Sequence, residues 1–180
     1  MAELDDVGGG PYVLAIDLGT SSTRALVFDR FGRQLQETES QIAYDVSTTA
    51  DGGVTLDPDQ LLRLTAEAID GALAAARSLG LHIELVAMSC FWHSLIGLDA
   101  SGAPATEIYT LGDTRCRHHA DQLRAAIDVE AYRQDTGVTI HSSYWPAKLR
   151  WLREADPDRF ARVRRWTSAA DYLTGVWLGV

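Results

Sequence analysis

The chain lacks several features that would place it in a special class of protein. It has no apolar run long enough to cross a membrane, and two cysteines are too few for a disulfide framework. Its net charge of −9 has the wrong sign for bulk electrostatic binding to nucleic acid. The acidic, glycine-rich start is typical of neither a signal peptide nor a transit peptide. We therefore expect a globular, cytoplasmic protein with reduced thiols and with no nucleic-acid or membrane partner.

The order of predicted elements indicates one α/β domain. Residues 1–11 are expected to be a flexible lead-in, and the domain is expected to run over residues 12–180. Apolar runs predict strands at 12–16 and 23–28, and a polar alternation over 34–44 is typical of a strand at a sheet edge. The predicted elements follow the order β-β-β-α-β-β-α. This order predicts a mixed sheet flanked by helices.

The central helix and the strand after it have clear sequence signals. Asp57 and Pro58 form a helix start, and Gly80 predicts the helix end. The next apolar run, residues 83–88, predicts a buried strand.

The most informative stretch is the turn between the first two strands. An apolar strand ends in a carboxylate, a glycine and three hydroxyls follow, and an arginine starts the next strand. Glycine permits close approach of a phosphate to the backbone, and turn amides and hydroxyls donate to phosphate oxygens. The candidate phosphate-binding residues are Asp17, Gly19, Thr20, Ser21, Ser22 and Arg24. Because Mg²⁺ prefers one or two carboxylates plus phosphate oxygens, Asp17 is also the candidate metal ligand. The alternative is an ordinary β-hairpin, since these residue types are common in turns.

The pattern D-x-G-T-x-S-x-R over Asp17–Arg24 resembles the first phosphate motif of the actin/hexokinase/Hsp70 superfamily. Within that superfamily it is most similar to the FGGY carbohydrate kinases. The resemblance implies a ribonuclease H-like, actin-like ATPase fold, with ATP and Mg²⁺ as cofactors and a sugar or sugar acid as substrate. Residues 171–175, DYLTG, resemble a later part of the same first domain.

FGGY kinases have two such domains, so the resemblance implies that this chain is one incomplete lobe. The catalytic aspartate and the C-terminal nucleotide-binding domain are expected beyond Val180, which leaves the isolated chain nearly inactive. The apolar ending, residues 173–180, favours truncation of a longer product. A homo-oligomer is a further expectation, because exposed apolar patches promote association.

The sugar side is expected after the strand that ends near Cys90. Relatives carry a Gln-x-His or Gln-Arg-Glu segment there, so the resemblance implies sugar contacts from Trp92 and His93. A tryptophan can pack on a sugar ring, and a histidine can exchange hydrogen bonds with hydroxyls. The alternative is a core tryptophan beside a structural histidine. Phe91 stands where relatives often have glutamine, which removes one polar contact.

A second sugar-side segment, residues 109–115, is similar to the W-x-D-x-R segment of the family. It implies that Asp113 accepts sugar hydroxyls and that Arg115 orients Asp113 or pairs with an acidic substrate. Leu111 replaces the usual tryptophan. The alternative is that Asp113 caps a helix that begins near Arg115.

Two further segments, residues 136–141 and 148–152, are similar to gluconate-type members of the family. The pattern alone does not favour a site role for His141 or Lys148. The expected function is therefore that of the N-terminal part of a kinase for a sugar, polyol or gluconate-like acid. Two alternatives are a non-catalytic phosphate- or sugar-binding module and a lobe of an Hsp70- or actin-like ATPase. The sugar-side segments argue against the latter.

Overall fold

A computed structural model describes residues 9–179 of the chain. Most of the predicted lead-in, residues 1–8, lies outside the described residues. The elements in chain order are β1 (Tyr12–Leu18), β2 (Ser22–Phe28), β3 (Gln34–Ala43), β4 (Ser47–Thr48), β5 (Val54–Leu56), α1 (Pro58–Ser78), β6 (Ile83–Cys90), β7 (Ile96–Leu98), β8 (Ile108–Tyr109), α2 (Arg117–Ala126), α3 (Val129–Thr136), α4 (Trp145–Ala155), α5 (Pro157–Arg162), β9 (Arg165–Thr167) and α6 (Ala169–Leu178). None of the helices within residues 9–179 is both long and apolar enough to cross a membrane.

The chain divides into two compact units. The first comprises the residues up to Asp45 together with Asp59–Phe91, and the second comprises Val46–Pro58 together with the residues from Trp92 onward. Each unit is described by itself.

The first unit is built on a four-stranded mixed sheet with the order β3-β2-β1-β6. β1 pairs antiparallel with β2 and parallel with β6, and β2 pairs antiparallel with β3. The predicted edge position of β3 is confirmed. Leu14, Ile16 and Leu18 alternate along β1 and are buried, as expected for a strand with one face against the core.

Helix α1 forms as its sequence signals predict. Pro58 occupies its first position, where proline costs no hydrogen bond, and Gly80 follows its end with a positive φ of 70°. Its buried face consists of Leu61, Leu64, Thr65, Ala68, Ala72 and Ala76. The helix passes close to β3 at Gly71, where an added Cβ would lie 3.0 Å from the Ser40 Cβ. Glycine therefore sets the distance of closest approach there.

The predicted burial of the strand after α1 is wrong. β6 is the second edge of the sheet, and Leu85 and Val86 are 58% and 64% exposed. An apolar run shows that a strand forms there, but it does not show which sheet position the strand takes. Within the described residues, no strand pairs with the outer edge of β6.

The second unit contains a three-stranded sheet, β4-β5-β8, and a two-stranded sheet, β7-β9. Gly137 ends α3 in the left-handed conformation with φ of 75°. α4 begins at Trp145 with a proline in its first turn. Two buried apolar clusters of this unit are centred on Cys116, Ala120, Ile140 and Ala147 and on Leu95, Tyr109 and Leu152.

Candidate functional site

The hydroxyl-rich turn connects β1 and β2 and is held from one side by Tyr44. The Gly19 N–H donates to the Ser22 carbonyl at 2.9 Å and closes the turn. The Tyr44 hydroxyl donates to the Gly19 carbonyl at 2.5 Å, and the Tyr44 N–H donates to the Ser21 carbonyl at 2.9 Å. Burial raises the pKa of Tyr44, so its hydroxyl remains a donor at neutral pH. Thr20 and Ser21 are exposed at the tip of the turn.

Asp17 lies in a polar row that crosses three strands. It is paired with Arg24 on β2 and with Ser89 on β6. The Ser89 hydroxyl donates to Asp17 Oδ1 at 2.6 Å, and Arg24 Nη2 donates to Asp17 Oδ2 at 3.2 Å. The Ser89 hydrogen bond and then Arg24 lower the pKa of Asp17 against a partial opposing effect of burial. Asp17 is therefore ionised at neutral pH.

The row lies beside a cavity of about 390 Å³ in the first unit. Its polar lining is Asp17, Arg24, Gln34 and Ser89, and its apolar lining includes Leu26, Phe28 and Met88. Arg24 also lies 3.6 Å from Glu39, so its charge is shared between two carboxylates. The positive charge of Arg24 partly offsets the net negative charge of the chain at this position.

The residues near the turn fit a magnesium ion that is bound through a single protein carboxylate. Among residues 9–179, no group of three or more histidine, cysteine, aspartate or glutamate side chains is placed to hold a metal ion. Mg²⁺ is usually bound through one or two carboxylates while substrate phosphates and waters complete the coordination. The ionised, half-exposed Asp17 beside the turn suits that arrangement.

Trp92 and His93 follow β6 directly and begin the longer segment of the second unit. Trp92 is 77% exposed, which fits a surface contact rather than the core tryptophan of the alternative interpretation. His93 has φ of 58°, a left-handed conformation that is uncommon for a residue with a Cβ and that clusters at functional sites. The next residue is anchored, since the Ser94 Oγ accepts from the Ala169 N–H at 3.0 Å and the Ser94 carbonyl accepts from Trp145 Nε1 at 2.9 Å.

Four rings form a continuous group in the second unit, which we call the ring group: Trp92, His93, Tyr144 and His141. The centroids of His93 and Tyr144 are 4.4 Å apart, those of Trp92 and His93 are 6.0 Å apart, and those of His141 and Tyr144 are 5.9 Å apart. Burial, then Lys148 and His141, lower the pKa of His93. His93 is therefore neutral at pH 7 and can both donate and accept a hydrogen bond.

Tyr144 is a member of the ring group that the sequence motifs do not single out. Its ring contacts depend on the pairing of a loop with residues about fifty positions earlier in the chain, which no local pattern encodes. The local signal for Tyr144 is an aromatic residue directly before a helix start, three residues after His141.

Asp113 and Arg115 lie together and are largely buried. Asp113 is 1% exposed, and Arg115 Nη2 donates to its Oδ2 at 2.5 Å. The Val54 and Arg115 N–H groups donate to the same carboxylate at 3.3 and 3.2 Å. The Arg115 guanidinium also stacks 4.6 Å from the Trp151 ring centre and 5.6 Å from that of Tyr109. The pair thus links the start of β5 to the segment before α2.

The helix-cap alternative for Asp113 does not match the geometry. α2 begins at Arg117 with Cys116 at its N-cap, and that position has no side-chain cap. The substrate role of Asp113 and Arg115 remains a prediction. Both Asp113 oxygens already accept hydrogen bonds within the chain, and Arg115 orients the carboxylate as one of the two expected arrangements requires.

The structure therefore collects the predicted residues into three sets. Asp17, Arg24 and the turn Gly19–Ser22 lie together in the first unit. Trp92 and His93 lie together in the second unit, and so do Asp113 and Arg115. The Leu111 carbonyl, two residues before Asp113, accepts from the Ser143 Oγ at 2.9 Å, and Ser143 directly precedes Tyr144.

The fold is that of the sugar kinases with an actin-like ATPase core. A xyloylose kinase from Brucella ovis superposes with a TM-score of 0.82 at 29% identity, over 91% of this chain and 34% of that one. A xylulose kinase from Rhodospirillum rubrum superposes with a TM-score of 0.86 at 22% identity, over 92% of this chain and 34% of that one. The predicted ribonuclease H-like class is confirmed.

The family follows from the sequence comparison. The model of the FGGY family of carbohydrate kinases, N-terminal domain, matches residues 12–179, and the chain belongs to this family. A glycerol kinase of Koribacter versatilis is 30% identical over 156 residues, which cover 86% of this chain and 31% of the relative. A gluconokinase of Bacillus licheniformis is 23% identical over 166 residues, which cover 90% of this chain and 31% of the relative.

The chain spans about a third of the length of the curated relatives it matches. Membership of the FGGY family excludes the Hsp70- and actin-like alternative. The relatives include glycerol, xylulose and gluconate kinases at similar identities, so the predicted resemblance to gluconate-type members does not single out one substrate.

Proposed function

We propose that the full-length protein transfers the γ-phosphoryl group of ATP to a hydroxyl of a sugar, polyol or sugar acid, and that this chain is its N-terminal domain. The observation that carries the proposal is the turn Gly19–Ser22, held by Tyr44 beside the ionised Asp17. Family membership supplies ATP as the co-substrate. Because ATP is a cytoplasmic metabolite, we also propose a cytoplasmic location.

In this proposal the first unit binds the phosphates. The Thr20 and Ser21 hydroxyls at the exposed tip donate to phosphate oxygens, and the absence of a Cβ at Gly19 admits the phosphate to the backbone. Arg24 places a delocalised positive charge next to Asp17. When Mg²⁺ is bound, with Asp17 as its protein ligand, it neutralises charge on the transferred phosphoryl group.

The second unit binds the acceptor. The exposed face of Trp92 packs on the apolar face of a sugar ring, and neutral His93 exchanges hydrogen bonds with hydroxyls. Asp113 and Arg115 are assigned to the same acceptor, with Arg115 holding the carboxylate in place.

The reaction forms a bond between the acceptor oxygen and the γ-phosphorus and breaks the bond between that phosphorus and the β,γ-bridging oxygen of ATP. ADP leaves, and the hydroxyl proton passes to a general base that we place beyond Val180. Phosphoryl transfer relies largely on positioning and charge neutralisation, and a positioned base adds about 10²- to 10⁴-fold. The 180-residue chain alone is therefore expected to have negligible activity.

The test is ADP formation by the full-length protein and by the 180-residue chain, each with D-xylulose, D-gluconate and glycerol. We expect acceptor-dependent ADP formation only from the full-length protein. If the full-length protein forms no ADP in response to any acceptor of these classes, the proposal is contradicted and a non-catalytic binding module is favoured. Robust phosphorylation by the isolated chain contradicts the placement of the base.

A further inference from the structure

Lys148 is the only lysine among the 16 lysines and arginines of the sequence, and it is 1% exposed. Lysine is among the residues that proteins almost never bury completely without partners. Every other basic side chain of this sequence is therefore an arginine or a histidine, and the one side-chain ammonium group is placed in the interior. Because burial of a charged side chain is unfavourable, a single buried lysine in a chain that otherwise uses arginine indicates a structural role specific to the ammonium group.

The Lys148 ammonium is held by backbone carbonyls of the preceding loop. Its Nζ donates to the Ser143 carbonyl at 2.9 Å and to the Ser142 carbonyl at 3.2 Å. The Ser142 carbonyl also accepts from the Cys116 thiol at 2.9 Å. A compact ammonium with rotatable donors suits converging carbonyls, whereas the planar guanidinium suits carboxylates and phosphates.

The groups around Lys148 partly offset the effect of burial on its ammonium. Burial lowers the pKa of Lys148, and the neighbouring Cys116 and Asp113 oppose that effect. Lys148 in turn contributes to the lowered pKa of His93. The ammonium therefore lies close enough to Asp113 and to His93 for an electrostatic interaction with each.

The loop that Lys148 holds carries two members of the ring group. His141 Nδ1 lies 3.1 Å from both the Ser143 N–H and the Ser143 Oγ, and Ser143 Oγ reaches the Leu111 carbonyl. Tyr144, directly after the two clamped carbonyls, contacts His93. Tyr144 is also the N-cap residue of α4, and its side chain does not cap the helix. The backbone hydrogen bond from the Lys148 N–H to the Tyr144 carbonyl is long, at 3.4 Å. The start of α4 is thus secured by the Lys148 side chain.

We propose that Lys148 is a positioning residue for the acceptor side of the site. Its buried ammonium clamps the Ser142 and Ser143 carbonyls and so keeps the Tyr144 and His141 rings in place relative to His93. The link to the acceptor rests on the proposed function, whereas the link to the ring group rests on geometry alone. Lys148 itself donates to backbone carbonyls and is not assigned a contact with the acceptor.

The direct test is proton NMR of the ring group in the 180-residue chain. The wild-type chain is expected to show a nuclear Overhauser cross-peak between the His93 and Tyr144 rings. Lys148→Met, which keeps the length and removes the donors, is expected to lose this cross-peak. The matched control is Arg150→Met on the same helix, because Arg150 pairs with Glu154 at the surface and should leave the cross-peak unchanged. A folded Lys148→Met chain that retains the cross-peak overturns the proposal.

A second measurement needs no variant, should Lys148→Met fail to fold. Reductive methylation with ¹³C-formaldehyde labels amines, and the single lysine gives one side-chain signal. Lys148 is expected to be strongly protected relative to a short lysine peptide in the same tube. Methylation of Lys148 at the rate of that peptide overturns the proposal.

Acceptor binding to the full-length protein separates this proposal from the proposed function. Using D-xylulose, D-gluconate and glycerol as probes, Lys148→Met is expected to weaken the acceptor that the wild type binds by about tenfold, which corresponds to about 1.4 kcal/mol. ATP binding should remain unchanged. Equal acceptor binding by both proteins overturns the positioning role and leaves the kinase assignment intact. If the wild type binds none of these acceptors, the kinase assignment is contradicted. Loss of the His93–Tyr144 cross-peak in Lys148→Met would then still support the role of Lys148 in holding the ring group.

Discussion

Ser89 and Asp17 lie opposite each other on the parallel strands β6 and β1, and the Ser89 hydroxyl donates to the Asp17 carboxylate at 2.6 Å. This hydrogen bond is the largest cause of the lowered pKa of Asp17. The strand that follows α1 thus lowers the pKa of the carboxylate beside the hydroxyl-rich turn.

Ser89→Ala is expected to raise the pKa of Asp17 towards the ordinary aspartate value of about 3.9. A lowered carboxylate pKa contributes stability above the unfolded pKa, and that contribution disappears as the pH falls through the folded pKa. The acid unfolding of Ser89→Ala should therefore begin at higher pH than that of the wild type. The Asp17 pKa is measured by ¹³C NMR of the carboxyl group.

Ser101→Ala is the matched control for this measurement, because the Ser101 hydroxyl donates to Asp99 at 2.7 Å and does not contact Asp17. It should change the titration of Asp99 and leave that of Asp17 unaltered. An Asp17 pKa that is the same in Ser89→Ala and in the wild type would show that the Ser89 hydrogen bond does not lower this pKa.

Asp113→Ala is expected to lower the free energy of unfolding by about 3–5 kcal/mol, the usual cost of removing one partner from a buried ion pair. The loss leaves the Arg115 guanidinium and the Val54 N–H without their acceptor. Urea unfolding measures this change. Asp121→Ala, which breaks the exposed Arg124–Asp121 pair, is the control and should cost about 0–1 kcal/mol. Equal costs for the two variants would contradict the structural importance of the Asp113–Arg115 pair.

His93 variants should separate backbone conformation from ring chemistry. Asparagine tolerates the left-handed conformation that His93 adopts, whereas a β-branched residue does not. We expect His93→Val to be less stable than His93→Asn by about 1–2 kcal/mol in urea unfolding. Identical unfolding of the two variants would mean that the backbone at position 93 is not held with positive φ in solution.

The isolated chain is expected to self-associate through exposed apolar side chains. Val176, Trp177 and Leu178 on α6 are exposed, and so are Leu85 and Val86 on the open edge of β6. Light scattering of the wild type should increase with concentration, and Leu178→Ser and Leu85→Lys should each reduce that increase. Phe31→Ser is the control, because Phe31 is an exposed residue that already contacts Arg30 and Arg33. A wild-type chain that stays monomeric at high concentration would contradict this prediction.

The parts of the structure that the sequence predicts are those set by neighbouring residues. The turn after Asp17 and the start of α1 at Pro58 depend on short-range signals, and both appear where they were predicted. The exposed position of β6 and the ring contact of Tyr144 depend on which distant segments meet. The burial of Lys148 belongs to the same group, because a lysine in a helix pattern is ordinarily predicted to be at the surface.

The most direct test of the account compares Asp17→Asn with His93→Asn in the full-length protein, by steady-state kinetics and by calorimetric titration of the acceptor. Asp17→Asn keeps the shape of the side chain and removes its charge, so turnover should be abolished while acceptor affinity stays within about twofold. His93→Asn removes a ring from the acceptor side, so acceptor affinity should fall by about tenfold while ATP affinity is unchanged. The opposite pattern, in which Asp17→Asn weakens the acceptor and spares turnover at saturation, would contradict the assignment of phosphate and acceptor to these two sets of residues.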